Sequence, residues 1–277
     1  MLDRRRESVQ GLEGSRRSST RDPQATWSMS FKTRSALAMT PTLAIIIGRS
    51  GSKGLPGKNS TMIDGRPIVS YSIDDAIGST HVDRAIVSTD DTEVAAASVD
   101  LGIELIKRPA HLAGDEATVC AVVQDTIDRS RSLHEVVVIL YACCPVRPVD
   151  LVDQAIEMLV RTGADSVQSY TSVGSCHPMW MSRIDEEGRV EPFIPNAVDR
   201  RQDLPPLHVV NGGIIVARRE QIMAADGSDP HAFLGTDRRA ITLEPGEVID
   251  IDSASDLKVA TLLIEHGQYR ARRVSQA

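Results

Sequence analysis

An apolar run that ends abruptly in a glycine-rich loop constrains the fold of this chain more than any other feature. The run, residues 43–47, ends in three consecutive isoleucines, and the loop that follows, residues 48–59, holds four glycines and three cations. Such a run is typical of a strand buried on both faces of a parallel sheet. The glycines let the backbone turn sharply and approach a ligand closely. With Arg49, Lys53 and Lys58 beside backbone N–H groups, this glycine-rich loop is suited to a phosphate-bearing ligand.

Two common phosphate-binding motifs do not fit the loop. In a P-loop, Gly-x-x-x-x-Gly-Lys-Ser/Thr, the first glycine would fall on Ser52, and Asn59 would replace the hydroxyl residue. The dinucleotide fingerprint Gly-x-Gly-x-x-Gly fails at Ser50, and it depends on backbone and helix dipole rather than on several cations. A solvated basic turn between a strand and a helix is the remaining alternative.

Strand-like and helix-like segments alternate after the loop. The pattern predicts helices over 67–79, 91–101, 118–131 and 150–161, and strands over 84–89, 103–106 and 135–141. Strands separated by helices of this length imply right-handed crossovers, and hence a three-layer, mostly parallel, Rossmann-like α/β sheet. Ligands bind beyond the carboxyl ends of such strands. We therefore expect the glycine-rich loop, 89–91, 108–118 and 141–147 to share one edge of the molecule.

The rhythm changes over residues 166–218. A hairpin turn is predicted at 185–188, where the sequence is Asp-Glu-Glu-Gly, within a polar and proline-bearing stretch. A long surface loop is the alternative interpretation of this region. The body ends in a predicted helix over 253–266, with Ser253 or Ser255 as its N-cap.

Two carboxylates precede that last helix. Asp250 and Asp252 stand two apart on a predicted strand over 248–252, so both should project from one face while Ile249 and Ile251 face the core. Like charges so placed repel each other unless a cation lies near them. A Mg²⁺ ion held by carboxylates and substrate phosphate is one interpretation, and strand-end carboxylates facing solvent are the other.

Composition excludes several classes of function. The net charge of −7 argues against a nucleic-acid surface, and no apolar run reaches the length of a membrane-spanning helix. The cysteines lack paired zinc-ligand spacing and are interpreted as thiols in a reducing cytoplasm, with a catalytic cysteine as the minor alternative; they are Cys120, Cys143, Cys144 and Cys176.

Residues 1–40 differ from the rest of the chain. They are basic, rich in serine and without apolar periodicity, which predicts a disordered extension. Met29 and Met39 are possible true starts, and an organellar transit peptide is a minority interpretation. Residues 41–270 are predicted to form one domain.

The loop pattern Ile-Ile-x-Arg-x-x-Ser-Lys-Gly-x-Pro-x-Lys-Asn, residues 46–59, resembles the signature loop of the sugar-acid cytidylyltransferases, the CMP-sialic acid synthetase family. Further segments resemble the same family in the same order, so the resemblance spans about residues 43–266; they are 87–90, 107–113, 145–147, 200–205, 211–212 and 249–252. The resemblance implies a nucleotidyltransferase sheet with a dimerisation arm over about 175–210, and a cytoplasmic homodimer.

The resemblance also implies a reaction. CMP would be transferred from CTP to the anomeric hydroxyl of a nonulosonic (sialic-like) 2-keto-3-deoxy sugar acid, with Mg²⁺ as cofactor and pyrophosphate as the second product. Arg49, Lys58 and Asp252 would be catalytic, and Mg²⁺ would lie on Asp250 and Asp252. The implied nucleotide-binding residues are Arg49, Ser52, Lys53, Lys58, Asn59, Arg108 and Ala117.

The implied acceptor site departs from the sialic acid pattern. Arg201 matches an arginine near the sugar-acid carboxylate, and Gln202 follows it. Tyr141 stands where the sialic acid enzymes carry Gln, Trp180 where they often carry Lys, and Val209 where they carry Arg. Fewer cations and more aromatic surface indicate a less polar acceptor, such as a diacetamido nonulosonic acid.

Three other functions remain open from the sequence. A Kdo-type cytidylyltransferase would act on an eight-carbon acid. A dinucleotide-dependent oxidoreductase is disfavoured by the broken glycine fingerprint. A non-catalytic nucleotide-binding protein of the same fold would bind CTP without turnover.

Overall fold

The computed structural model describes Leu37 and residues 40–267. Most of the predicted extension, including Met29 and Met39, lies outside the described residues, as do residues 268–277.

The described residues form eleven strands: β1 (Thr42–Gly48), β2 (Met62–Ile63), β3 (Arg66–Pro67), β4 (Arg84–Thr89), β5 (Glu104–Lys107), β6 (Val136–Tyr141), β7 (Ser166–Ser172), β8 (Ser182–Ile184), β9 (Val190–Pro192), β10 (His208–Arg218) and β11 (Arg238–Leu243). The same part of the chain forms six α-helices: α1 (Val69–Gly78), α2 (Thr92–Asp100), α3 (Val119–Ser130), α4 (Leu151–Thr162), α5 (Arg219–Ala224) and α6 (Ala254–Glu265). Every element predicted between 67 and 162 is confirmed, with ends that differ by at most two residues.

The main sheet has the strand order β11-β7-β10-β6-β1-β4-β5. β6, β1, β4 and β5 run parallel, whereas β10 is antiparallel to both of its neighbours. β11 runs parallel to β7. The prediction of a mostly parallel sheet is confirmed, and β1 lies in the middle of its parallel part.

Helices cover both faces of the sheet. All seven residues of β1 are buried, with Ala44 and Ile46 packed toward α1, α2 and α4, and Leu43 and Ile45 packed toward α3 and α5. This is the three-layer α/β architecture predicted from the alternating segments. In sheets of this kind, ligands bind beyond the carboxyl ends of the strands.

The predicted strand over 248–252 is wrong. Only an isolated bridge joins Ile249 to Val146, because this segment bonds to the irregular loop after β6 rather than to a strand. The Ile249 and Ile251 N–H groups donate to the Val146 and Cys143 carbonyls at 3.2 and 2.9 Å. The predicted burial holds for Ile251, which packs under α6 in a small separate core, whereas Ile249 is only half-buried.

Several smaller predictions can also be compared with the structure. Ser253, not Ser255, caps α6, in a capping box completed by Asp256. The hairpin turn at 185–188 is confirmed, and it joins β8 to β9. β7 and β11, which the sequence reasoning missed, are polar strands at one side of the sheet.

Candidate active site

The glycine-rich loop leaves β1 at the point where β6 also ends. Gly48 packs so closely against this strand end that a Cβ on it would lie 2.7 Å from the Ala142 Cβ. Asn59 is buried, and its side-chain amide donates to the Arg49 carbonyl at 2.9 Å, which ties the two ends of the loop together. The close packing that glycine permits, together with this hydrogen bond, therefore fixes the loop over the carboxyl edge of the sheet.

The loop and the carboxylate pair meet across 194 residues of sequence. The Lys58 ammonium donates to Asp252 Oδ1 at 2.8 Å and to the Ile251 carbonyl at 2.7 Å. Gly54 lies flat against the Asp252 carbonyl, where a side chain would not fit. Burial alone would lower the pKa of Lys58, but the pKa is raised because Cys143, Asp252 and Asp250 surround the ammonium. Lys58 therefore carries its positive charge into the site.

The two carboxylates have different surroundings. The Asp252 side chain is 78% exposed, whereas Asp250 is mostly buried and accepts a hydrogen bond from the Cys143 thiol at 2.9 Å. Burial raises the pKa of Asp250 above its usual range. Gly212 has φ +73°, and a Cβ on it would lie 2.8 Å from Asp250 Oδ2, so the carboxylate needs a glycine there. Both carboxylates flank Lys58, as the alternation predicted.

The donor set fits Mg²⁺. In the part of the chain that is described, no cluster of three or more His, Cys, Asp and Glu side chains is arranged to hold a metal. A pair of carboxylates is nevertheless sufficient for Mg²⁺, which keeps several waters and takes further oxygens from substrate phosphate.

A cationic cavity of about 470 Å³ opens above this meeting point. It gathers every predicted nucleotide-binding residue, together with Tyr141 and Asp252: Arg49, Ser52, Lys53, Lys58, Asn59, Arg108 and Ala117. Arg108 is 7% exposed and donates to the Ser88 carbonyl at 2.7 Å, and its Nε has no partner among the described residues. Although burial lowers the pKa of Arg108, a guanidinium stays charged in proteins.

Asp115 lies where the loop cations converge, and sequence reasoning missed it. Its carboxylate contacts Arg49 Nη1 at 2.6 Å and also pairs with Lys53. Lys53 and then Arg49 lower the pKa of Asp115 below its usual range. One carboxylate thus pairs with both cations, and a phosphate group bound by the same cations would replace this contact.

An apolar cavity of about 660 Å³ adjoins the cationic cavity and shares Tyr141, Asp115, Ala117 and Val119 with it. One part of its wall is aliphatic or aromatic and contains Val210, Ile214, Ile215, Phe233 and Leu234. The polar members that it does not share with the cationic cavity are Glu116, Thr118, Gln168, Ser169, Tyr170, His231 and Arg238. Burial and nearby Asp250 raise the pKa of Tyr141 to about 12. A neutral phenol therefore stands at the junction of the two cavities.

Three predicted acceptor residues lie elsewhere. Trp180, Arg201 and Gln202 line neither the cationic cavity nor the apolar cavity. They belong to the extension around the β8–β9 hairpin, where the Trp180 indole donates to the Val198 carbonyl at 2.9 Å. Their assignment to the acceptor stays a prediction.

A parallel sheet that delivers a polycationic glycine loop onto a carboxylate pair is the arrangement expected of a nucleotidyltransferase. The chain belongs to the cytidylyltransferase family, whose model matches residues 43–182. It is therefore a nucleotidyltransferase rather than a dinucleotide-dependent oxidoreductase.

Known relatives and structures agree with this class. The chain is similar to the CMP-N,N'-diacetyllegionaminic acid synthase of Legionella pneumophila, with 29% identity over 82% of the chain and 97% of the relative. An N-acylneuraminate cytidylyltransferase of Streptococcus agalactiae is 32% identical over 64% of the chain and 43% of the relative. The fold matches a CMP:2-keto-3-deoxy-manno-octonic acid synthetase complexed with CTP, with a TM-score of 0.62, 17% identity, and coverage of 82% of this chain and all of that one. No helix among the described residues is long and apolar enough to cross a membrane.

Proposed function

We propose that this enzyme transfers CMP from CTP to the anomeric hydroxyl of a nonulosonic 2-keto-3-deoxy sugar acid and releases pyrophosphate. The observation that carries the proposal is the direct connection between the cationic cavity, with Lys58 and Asp252, and the apolar cavity. One cavity has the charge that a nucleoside triphosphate requires, and the other has room for a sugar acid. The junction at Tyr141 is where the α-phosphate and the attacking hydroxyl would meet.

The side chains of this site would act by position and charge. Arg49, Lys53 and Lys58 neutralise the triphosphate, and Ser52 adds a donor. The anomeric oxygen forms a bond to the α-phosphorus as the bond to the bridging oxygen of pyrophosphate breaks, and the hydroxyl proton is released. Negative charge grows on the leaving pyrophosphate, so preorganised cations lower the barrier.

Asp250 and Asp252 would hold Mg²⁺ beside Lys58. When bound, this ion would supply positive charge to the phosphate oxygens. The half-buried carboxylate of Asp250, which accepts from Cys143 and lies close to Gly212, would provide one ligand, and the exposed Asp252, which lines the cationic cavity, would provide the other.

We infer that the acceptor carries more than one acyl or deoxy group. Phe233, Leu234 and Ile215 give the apolar cavity a hydrophobic wall, and Tyr141 replaces an amide with an aromatic ring at its mouth. Such a wall favours methyl groups over hydroxyls. The name of the Legionella relative, which specifies a diacetylated nonulosonic acid, supports the same inference.

We also propose that the enzyme is a cytoplasmic homodimer. The extension around β8 and β9 exposes large apolar side chains that a second copy would cover, among them Ile184 (70%), Val190 (63%) and Phe193 (49%). Pairing of two such extensions would also place Arg201 and Gln202 at an interface rather than in solvent. The four cysteines are free thiols, as expected in a reducing compartment.

The test is pyrophosphate release from CTP and Mg²⁺ with a panel of 2-keto-3-deoxy sugar acids. We expect turnover with nine-carbon acids, fastest with a diacetamido acid, slower with N-acetylneuraminic acid and slowest with an eight-carbon acid of the Kdo type. Silence with all acceptors, while CTP still binds, would contradict the proposal. Preference for the eight-carbon acid would instead support the Kdo-type alternative.

Arg108→Met is expected to raise the KM for CTP by about tenfold or more, because a buried charged donor that faces the ligand is worth roughly 1.5–3 kcal/mol. The measurement is steady-state kinetics at varied CTP and saturating acceptor. Lys107→Met is the matched control, since Lys107 is exposed at the end of β5 and does not line the cationic cavity. An unchanged KM in Arg108→Met would remove this arginine from the nucleotide site.

A further inference from the structure

The wall of the apolar cavity includes a short segment that packs against α5 and β10. Phe233 and Leu234 lie on a 3-10 turn, Ala232–Leu234, between α5 and β11, and they are 4% and 2% exposed. Residues 235–237 then lead directly into β11. A turn of this length does not fix its own position, so its place against the cavity depends on side chains that hold it.

Asp165, just before β7, holds this segment from outside the cavity. Its Oδ2 accepts hydrogen bonds from the Thr236 N–H at 2.8 Å and the Asp237 N–H at 2.9 Å. Its own N–H donates to the Asp237 carbonyl at 2.9 Å. Asp165 therefore forms hydrogen bonds to residues 236 and 237 through both its side chain and its backbone.

The close approach of Gly235 to Asp165 is independent evidence of this contact. Its φ is +68°, and a Cβ on it would collide with the Asp165 side chain. The backbone of the segment thus lies directly against the carboxylate, in a conformation that favours glycine. The backbone N–H groups of Asp237 and Thr236 also lower the pKa of Asp165, so the acceptor carboxylate is charged at neutral pH.

Other contacts hold the carbonyl side of the same turn. The buried Ser166 hydroxyl donates to the Leu234 carbonyl at 2.7 Å, and Arg238 donates to the Gly235 and His231 carbonyls at 2.8 and 3.1 Å. The Ser166 and Arg238 groups are hydrogen-bond donors. They therefore cannot accept the hydrogen bonds that the Thr236 and Asp237 N–H groups donate to Asp165. Loss of the Asp165 carboxylate would release the segment on one side only, without removing all of its anchors.

We propose that Asp165 is a positioning residue for the acceptor: it sets the place of Phe233 and Leu234 without touching the cavity. This inference rests on the proposed function, in which the apolar cavity receives the sugar acid. Asp165 does not contact the cationic cavity, so its effect falls on the acceptor and not on CTP.

The test compares the acceptor KM, the CTP KM and kcat in Asp165→Ala and Asp165→Asn. Asp165→Ala is expected to raise the acceptor KM by about tenfold, the effect of one lost charged anchor, with the CTP KM within twofold of wild type. Asparagine keeps an oxygen that can accept both N–H groups, so Asp165→Asn should restore most of the acceptor affinity. Gly235→Ala, which pushes on the same contact, should raise the acceptor KM in the same direction.

Asp226→Ala is the matched control. Asp226 also accepts a backbone N–H in an exposed turn, from Ser228 at 2.9 Å, but it lines neither cavity. Its acceptor and CTP KM values should both stay at the wild-type level. Thermal unfolding of each variant shows whether it is folded at the assay temperature.

The outcomes separate the two proposals. If wild type turns over no sugar acid, the proposed function fails. If wild type is active and Asp165→Ala keeps its acceptor KM, or raises both KM values equally, only the positioning role is overturned. If Asp165→Ala does not fold, an unchanged acceptor KM in Gly235→Ala overturns the role by itself.

Discussion

Asp252→Asn is expected to lower kcat for CMP transfer by about 10²- to 10³-fold, the loss typical of one preorganised electrostatic group. The carboxamide has the same shape as the carboxylate but lacks the charge that would hold Mg²⁺ and orient Lys58. The fold should be unaffected, because the side chain is 78% exposed and its ion pair with Lys58 at 2.8 Å is of the kind that contributes at most about 1 kcal/mol. The midpoint temperature of thermal unfolding should therefore change by no more than a few degrees.

Asp100→Asn is the control for this variant. Asp100 ends α2 on an exposed surface and lines neither cavity, so its kcat should match wild type. Binding of Mn²⁺, followed by electron paramagnetic resonance, gives a readout that does not depend on turnover. We expect weaker binding in Asp252→Asn and unchanged binding in Asp100→Asn. Wild-type turnover or wild-type Mn²⁺ binding in Asp252→Asn would remove the metal assignment.

The convergence of the glycine-rich loop with the other strand ends could be predicted from the sequence because topology constrains it, whereas the place of Asp252 in the same site was implied by the family resemblance. A buried isoleucine run followed by a glycine-rich loop marks the carboxyl end of a strand, and alternating helices and strands put other strand ends beside it. The Ile249–Ile251 alternation likewise predicted the burial of Ile251. These signals are local, so one sequence is enough to detect them.

The partner of that segment could not be predicted in the same way. Whether residues 248–252 form a strand depends on what runs beside them, and there the chain offers the irregular loop after β6. β7 escaped detection because Ser, Gln and Thr dominate it and weaken the apolar pattern. Pairing with distant segments overrides such weak local propensity.

Asp115 and Phe233 show a second limit. Asp115 falls within the strand-end region 108–118, which was predicted to share the ligand edge, but nothing in its sequence context distinguishes it from a surface aspartate. Phe233, one of three phenylalanines in the chain, stands in a polar stretch, and this contrast was the available signal. Its place in the wall depends on contacts from distant residues: Asp165 accepts from Thr236 and Asp237, 71 and 72 positions later, and Ser166 donates to Leu234, 68 positions later.

Arg147→Met is expected to lower the free energy of unfolding by about 3–5 kcal/mol, the cost of breaking a buried ion pair from one side. The guanidinium is fully buried and pairs with Asp75 at 3.1 Å. It also donates to the Gly213 carbonyl at 2.5 Å and the Tyr141 carbonyl at 3.0 Å, and it bonds to Ser72 and Cys144. Methionine fills a similar volume but satisfies none of these acceptors. Urea unfolding followed by circular dichroism measures the loss.

Arg189→Met is the matched control, because Arg189 is 75% exposed and its ion pairs with Asp185 and Glu187 are solvated. The free energy of unfolding of Arg189→Met should fall by at most about 1 kcal/mol. Arg147→Lys should fall between the two, since lysine keeps the charge but not the planar fork that reaches several acceptors at once. A loss below about 1 kcal/mol in Arg147→Met would show that these bonds contribute little to stability. The large loss is the expected result because Arg147 joins the end of β6 to β10, and residues of both strands line the apolar cavity.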